Sequence, residues 1–120
     1  MRVIIAGSRS ITDMAFVFDA ITLFDLFDHE ITEVVSGTAE GVDRIGEQWA
    51  EEHCVAVQRF PADWKLHGKS AGYKRNEEMA EYADALLAIW DEESKGTKHM
   101  IDIAEREGLE VAVVYYEETT

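Results

Sequence analysis

The chain has 120 residues, a formal net charge of −14 and a single cysteine. This length fits one core and is too short for two, so we expect residues 1–120 to form a single domain. The excess of 25 acidic over 11 basic side chains disfavours long polyanions and anionic membranes as partners, because they would be repelled. Any anion-binding site must therefore be confined to a small part of the surface.

The cysteine and the N terminus bear on the compartment. Cys54 has no second cysteine to pair with, and its apolar surroundings predict a small buried core residue. The first apolar run stops at Gly7, without the pattern of a signal peptide, and no run reaches membrane-spanning length. We therefore expect a cytoplasmic protein that does not associate with membranes.

Apolar runs of two kinds alternate along the chain. Short runs rich in β-branched residues show no polar alternation, which predicts strands buried on both faces. The segments between them have helical periodicity, clearest in the first, where Met14, Val17 and Ile21 share one face and Thr12 or Asp13 can cap the start. In chain order, the predicted elements are strand 3–6, helix 13–28, strand 33–36, helix 40–53, strand 55–59, helix 70–82, strand 85–89, helix 95–107 and strand 111–115.

This alternation determines the fold class. Right-handed crossovers between successive strands place helices on both faces of a parallel sheet. We therefore predict an α/β fold, a Rossmann-like three-layer α/β/α domain with a five-stranded parallel sheet in the order 3-2-1-4-5.

Loops that leave the carboxyl ends of parallel strands meet at one rim, where ligands bind. Six of the eight glycines fall in these loops, and bare backbone lets N–H groups approach an anion. Turn geometry alone is an equal explanation for the pair Gly37 and Gly41. The four predicted rim segments are residues 7–9, 37–43, 60–75 and 90–97.

One stretch of the chain has a net positive charge, unlike the chain as a whole. Residues 59–75 hold five basic side chains and one acidic side chain, Asp63. Arg9 is expected to join this cluster from the first loop. Since screening acts over roughly 8 Å, the distant acidic faces weaken the attraction for a polymer more than for a compact phosphate. The cluster predicts a small anionic ligand.

Several rim side chains have two possible roles. Ser94 or Thr97 either caps the last helix or donates to a phosphate. Trp64 and Trp90 either stack on a base or, more commonly for such residues, pack in the core. Asp43 and Asp91 either hold ribose hydroxyls or remain solvated or capping carboxylates.

The sequence lacks the motifs of several other kinds of functional site. The four histidines and Cys54 show no metal-ligand spacing, so we expect no metal site. No nucleophile elbow, P-loop or three-glycine dinucleotide fingerprint is present, and we expect no bound cofactor.

Four ordered blocks resemble a known group of proteins: AGSRSITD, VVSGTAEGVD, RFPADWKLHGKSAGYKRNEEM and WDEESKGTKHMI. They resemble the SLOG superfamily of Rossmann-like domains, and within it the small stand-alone YspA/YpsA-like branch of unknown function. The resemblance implies a nucleotide-type ligand. The residues it implies for the site are Gly7, Ser8, Arg9, Gly37, Thr38, Gly41, Asp43, Lys69, Arg75, Asn76, Asp91, Ser94, Gly96 and Thr97.

Two better-understood SLOG groups bear on activity. SGTAEGVD is similar to a signature of DprA, which acts on single-stranded DNA, but the net charge makes nucleic acid an unlikely partner. Arg75 and Met79 resemble the arginine block of the lonely-guy phosphoribohydrolases, whose second block carries a glutamate where this chain has Met100. A thioether cannot transfer protons, so Arg75 and Asp91 remain the catalytic candidates.

The resemblance and the basic cluster favour binding of a nucleotide or nucleotide-sugar phosphate, AMP-like or ADP-ribose-like. An N-glycosidase acting on nucleoside monophosphates is the alternative, and a DprA-like nucleic-acid-associated protein is the second. The broad apolar face of the first helix also suggests a homo-oligomer, such as a homodimer.

Overall fold

The computed structural model describes residues 1–117, which form one five-stranded sheet with helices on both faces. The elements are β1 (Arg2–Gly7), α1 (Met14–Leu23), β2 (Glu33–Ser36), α2 (Val42–Glu52), β3 (Ala56–Arg59), α3 (Trp64–His67), α4 (Ala71–Tyr82), β4 (Ala85–Trp90), α5 (Lys95–Arg106) and β5 (Glu110–Tyr115). A π-helical turn (Phe24–Asp28) follows α1, and a 3₁₀ turn (Gly68–Ser70) links α3 to α4.

All neighbouring strands are parallel, in the order β3-β2-β1-β4-β5. This confirms the predicted α/β fold and strand order. The register pairs Gly7 with Ile89 and Ser36 with Arg59, so the carboxyl ends of the strands share one edge. The loops that carry the candidate residues leave from this edge.

The sheet separates two apolar cores. Val3 and Ile5 of β1 face α1 and α2, where Ile21 and Trp49 are buried. The alternate residues of β1 belong to the second core, which packs against α4 and α5 and contains Met79 and other buried side chains. Both faces of the central strands are thus covered, which explains their continuous apolar sequences.

The prediction that all five strands are buried on both faces is wrong for the two edge strands. β3 is mostly exposed, and β5 is only half-buried between its ends. An edge strand has a neighbour on one side only, and the four main helices pack chiefly over the centre of this sheet.

Three local expectations also need correction. The helix predicted over residues 13–28 changes to a π-helical turn at Phe24. The segment before α4 contains a short helix, α3, which the sequence did not reveal. Cys54 is exposed rather than buried, because the chain turns with a positive φ of 56° there after α2 ends.

The end of the first helical segment leaves apolar side chains on the surface. Leu23, Leu26 and Phe27 are exposed, Phe27 by 78%. Beside them, Phe16, Phe24 and Val114 line an apolar groove of about 260 Å³ between α1 and β5. Homo-oligomer formation through this face stays a prediction.

Membrane insertion through a helix finds no support in the described part of the chain. None of the helices within residues 1–117 combines the length and apolar character that crossing a bilayer requires.

Candidate functional site

A cavity of about 230 Å³ opens at the carboxyl edge of the sheet. It lies where the crossovers from β1 and β4 diverge to opposite faces, the usual ligand position in such sheets. Its lining comes from five parts of the chain: Ala6, Gly7 and Arg9 after β1; Ala39 and Asp43 at the start of α2; Trp64 and Lys69 around α3; Gly72, Tyr73, Arg75, Asn76 and Met79 on α4; Ser94, Gly96, Thr97 and Met100 at α5.

The β2–α2 loop is closed by its own hydrogen bonds. Thr38 N–H donates to Ser36 Oγ at 3.1 Å, and Ala39 N–H donates to Asp43 Oδ2 at 3.2 Å. Thr38 and Gly41 have positive φ angles of 64° and 77°. The pair Gly37 and Gly41 therefore belongs to a tight turn, in which the Asp43 carboxylate replaces a backbone partner.

Close packing explains the glycines at the strand ends. A Cβ at Gly37 would lie 2.6 Å from Arg75 Nη1 and 2.9 Å from Asp43 Oδ2. A Cβ at Gly41 would lie 2.6 Å from the Arg9 carbonyl oxygen. Glycine at these positions lets the first two rim loops meet the guanidinium of α4.

Arg75 connects three sides of the cavity. Its Nη1 donates to the Gly37 carbonyl, and its Nε donates to Asn76 Oδ1 at 3.0 Å. The Asn76 amide in turn donates to the Gly96 carbonyl at 3.3 Å. Burial lowers the pKa of Arg75, although Asp43 opposes this effect. The guanidinium still has Nη2 without a hydrogen bond among residues 1–117.

Two further cations line the cavity without any protein partner. The side chains of Arg9 and Lys69 are exposed and form neither a hydrogen bond nor an ion pair within residues 1–117. Outside the cavity, Arg59 and Lys98 pair with Glu47 and Asp102 at 2.9 Å, whereas Lys65, Lys74 and Lys95 also form no hydrogen bond or ion pair within residues 1–117. The cavity therefore collects cations whose donors remain available.

Asp43 is the buried carboxylate of the cavity. Burial raises its pKa to about 6, and Glu47 adds to this rise, whereas the Ala39 N–H, Arg75 and Arg9 favour the charged form. Since it has no ion-pair partner within 4 Å in the described chain, Asp43 has the properties of a group that takes up a proton near neutral pH.

Asp91 has a different environment. Its Oδ1 accepts hydrogen bonds from the N–H groups of Glu93 and Ser94, both at 2.9 Å. Partial burial alone would raise the pKa of Asp91, but these bonds and those with Ser8 and Ser10 hold it below its usual range. Asp91 therefore organises the β4–α5 loop and does not line the cavity.

The start of α5 is capped by a side chain. Ser94 Oγ accepts a hydrogen bond from Thr97 N–H at 3.3 Å, and the two hydroxyls lie 2.9 Å apart. Trp90 Nε1 donates to the Ser94 carbonyl at 3.0 Å, so this ring braces the loop. Ser94 and Thr97 thus have the capping role, while both also line the cavity.

Most residues that the resemblance implies come together. Nine line the main cavity: Gly7, Arg9, Asp43, Lys69, Arg75, Asn76, Ser94, Gly96 and Thr97. Gly37 and Thr38 line a neighbouring cavity of about 320 Å³, which shares Arg9 and Arg75 with the first. Ser8, Gly41 and Asp91 line neither cavity and support the loops around them.

The structure adds lining residues that are absent from the set implied by the resemblance. Trp64 is 55% exposed and lines both cavities, so the expectation that it packs in the core is wrong. Gly72, Tyr73 and Met79 lie on α4 beside the predicted Arg75 and Asn76. The spacing of three to four residues from Lys69 through Gly72 and Asn76 to Met79 was the available signal for this helix face.

The described residues include no cluster of three or more His, Cys, Asp or Glu side chains arranged to hold a metal ion. Met100, at the position where the phosphoribohydrolases carry glutamate, is buried and contributes a thioether to the cavity wall.

Comparisons with known proteins now bear on this geometry. A profile of the YspA, cpYpsA-related SLOG family (YAcAr) matches residues 1–67. The Gene 61 protein of Mycobacterium phage D29 is 38% identical over 116 residues, which cover 92% of this chain and 93% of the phage protein. The chain belongs to the YspA, cpYpsA-related SLOG family. This SLOG assignment confirms the resemblance that the four sequence blocks indicated.

A solved structure shares the fold of this SLOG chain. The X-ray structure of DNA processing protein A (DprA) from Streptococcus pneumoniae superposes with a TM-score of 0.74 at 17% sequence identity. The match covers 93% of this chain and 49% of the DprA chain, so our chain spans about half the length of that protein. At this identity the likeness shows a shared Rossmann-like fold.

Proposed function

We propose that the cavity binds a nucleotide or nucleotide-sugar phosphate of the AMP or ADP-ribose type. The observation that carries this proposal is the convergence of Arg9, Lys69 and Arg75 on one cavity with donors that the protein leaves unused. Like charges repel, so bringing three cations together around the one carboxylate in the cavity lining, Asp43, costs stability. A bound phosphate offsets that cost and accepts their hydrogen bonds.

The remaining lining supports the other parts of such a ligand. Hydroxyls of Ser94 and Thr97 and the carboxylate of Asp43 face the same space as the cations. Carboxylates and hydroxyls are suitable partners for ribose hydroxyl groups. The adjoining cavity of about 320 Å³, which shares Arg9, Arg75 and Trp64, offers space for a second phosphate or sugar.

Calorimetric titration with AMP, ADP-ribose and inorganic phosphate tests the proposal. Arg9→Ala and Lys69→Ala remove side chains that hold no structural contact, and we expect each to weaken binding by roughly tenfold or more. Arg106→Ala is the control variant, because it also removes one positive charge but lies in the last turn of α5, outside both cavities. Equal affinities for all four proteins, or no binding to the wild type, would refute the proposal.

A second candidate is an N-glycosidase acting on nucleoside monophosphates. The observation that favours it is Asp43, a cavity carboxylate whose pKa is raised to about 6 by burial, within the range useful for proton transfer. Chromatographic release of free base from AMP, lost in Asp43→Asn and retained in Asp91→Asn, would establish it. Absence of release from a panel of nucleoside monophosphates would leave binding as the function.

A third candidate function is nucleic-acid binding, because the chain shares its fold with DprA. We expect only weak association, because a polymer that crosses the rim meets the surface of a protein with a net charge of −14. A mobility-shift assay with single-stranded DNA at low and physiological salt tests this expectation. Tight binding that survives physiological salt would replace the small-ligand proposal.

A further inference from the structure

The eight glycines differ in what the fold requires of them. At four of them a Cβ would lie within 3 Å of neighbouring atoms: Gly7, Gly41 and Gly46 face backbone or the branched base of a side chain, and Gly37 faces the ends of the Arg75 and Asp43 side chains. Gly68 and Gly108 have room but adopt positive φ angles of 57° and 80°. Gly72 and Gly96 have neither constraint. The presence of glycine at these two positions therefore needs another explanation.

Both unexplained glycines are the second residue of a helix. Gly72 lies in α4, where a Cβ would find its nearest neighbours, Arg75 Nη2 and Trp64 Cη2, at an ordinary 3.9 Å. Gly96 lies in α5, where a Cβ would have nothing within 4 Å. Glycine in a helix costs up to about 1 kcal/mol relative to alanine. The fold would gain from alanine at both positions.

The two positions share one location. Gly72 and Gly96 come from different helices, and both line the cavity that holds Arg75. A glycine in a cavity wall presents flat backbone, so a ligand atom can approach where a side chain would stand. A ligand in contact with both helices explains why these two residues are glycine, which neither packing nor the φ angles explain.

Two exposed aromatic side chains line the same cavity as Gly72. Trp64 and Tyr73 line the cavity and are 55% and 46% exposed. The Trp64 ring reaches the space above Gly72, and one side of Tyr73 packs on His99 with ring centroids 4.4 Å apart. Large aromatic rings left exposed at a cationic cavity are surfaces on which a nucleobase stacks.

We propose that a heteroaromatic base of the ligand packs over Gly72 between Trp64 and Tyr73, and that Gly96 leaves space for the sugar beside it. This inference rests on the proposed function and deepens it, since it assigns the base of the ligand to named residues of the cavity wall. Stacking on an aromatic side chain contributes about 1–3 kcal/mol per base, which corresponds to roughly 5- to 150-fold in affinity.

Calorimetry with the monophosphates AMP, GMP, CMP and UMP, each against ribose 5-phosphate, tests the base site. We expect at least one nucleotide to bind wild-type protein at least tenfold more tightly than ribose 5-phosphate. Gly72→Leu fills the space over the helix and should remove this advantage, while ribose 5-phosphate still binds. Trp64→Ala should reduce it, whereas Tyr115→Ala, an exposed aromatic outside the cavity, should not.

The controls separate this inference from the proposed function. Leucine is a good helix former and the position is open, so Gly72→Leu should unfold in urea no earlier than wild type. If ribose 5-phosphate and all four nucleotides bind equally, with Gly72→Leu unchanged, the base site is refuted while phosphate binding stands. If neither class of ligand binds wild-type protein, both proposals fail.

Discussion

The cavity has two walls that meet at Arg75, and they are built differently. The strand-end wall, formed by Gly7, Ala39 and Asp43, has its backbone and carboxylate occupied by contacts within the protein, and the exposed side chain of Arg9 beside it is the exception. The helix-start wall, formed by Lys69 and Gly72 together with Gly96, Ser94 and Thr97, includes a cation without a partner and glycines that the fold does not need. Folding explains the composition of the strand-end wall. The glycines and the unpaired cation of the helix-start wall are explained only by a bound ligand.

This contrast makes opposite predictions for similar substitutions. Changes at the glycines of the strand-end wall should alter stability, and any effect on binding should follow from that. Changes in the helix-start wall should alter binding while stability stays equal or rises. Single substitutions in each wall therefore test this division.

The largest effect is expected for Gly7→Ala. A Cβ at this position would lie 2.6 Å from Val42 Cγ2 and closer still to the Ile89 carbonyl oxygen on the paired strand. Since β1 and β4 cannot separate without disturbing the centre of the sheet, we expect a loss of about 3 kcal/mol in the free energy of unfolding. Urea denaturation measures it. A loss under 1 kcal/mol would show that this wall tolerates side chains.

A smaller effect, of opposite sign, is expected for Asp43→Asn at neutral pH. Burial raises the pKa of Asp43 from 3.8 to about 6 in the folded protein, so the folded state holds the proton more tightly than the unfolded chain. Stability from this group is therefore greatest below about pH 4 and falls as the pH rises through 6. Asparagine keeps an acceptor for Ala39 N–H and avoids the buried charge, and should add about 2 kcal/mol at pH 7.5.

Urea midpoints at pH 4.5 and 7.5 measure the Asp43 effect. The difference between wild type and Asp43→Asn should widen towards pH 7.5, whereas Asp19→Asn, an exposed carboxylate on α1, should show no such widening. If Asp43→Asn is less stable than wild type at pH 7.5, the negative charge stabilises the loop, and our account of this carboxylate is wrong.

The smallest change in stability is expected for Gly96→Ala. The added methyl group meets no atom within 4 Å and improves helix propensity, so the free energy of unfolding should rise by about 0.5 kcal/mol. The same variant should bind AMP more weakly, because the methyl group enters the cavity. A rise in stability with unchanged affinity would remove Gly96 from the ligand-binding wall.

The fold was predictable from the sequence, and the helix-start wall only in part. Uninterrupted apolar runs separated by helical segments allow few arrangements other than a doubly wound parallel sheet, and the order 3-2-1-4-5 followed. Chain position alone placed Arg9, Asp43 and Arg75 at one rim, because carboxyl ends of parallel strands coincide.

Features that depend on three-dimensional neighbours were not predictable. The exposure of β3 follows from its edge position, while its residues Ala56 and Val57 look like those of a core strand. Trp64 looked like a core residue because large aromatic side chains usually are, yet α3 holds it at the cavity. The special status of Gly72 appears only when the space around its backbone is known.

The most direct test of the central claim is an AMP titration followed by NMR of ¹⁵N-labelled protein. We predict saturable shifts of the backbone amide signals of Arg9, Gly72, Arg75 and Gly96, and unchanged signals for Leu23 and Phe27 beside the apolar groove of α1. Shifts confined to the groove, or no saturable shift in the cavity with any nucleoside monophosphate, would contradict the claim that the cationic cavity is a nucleotide site.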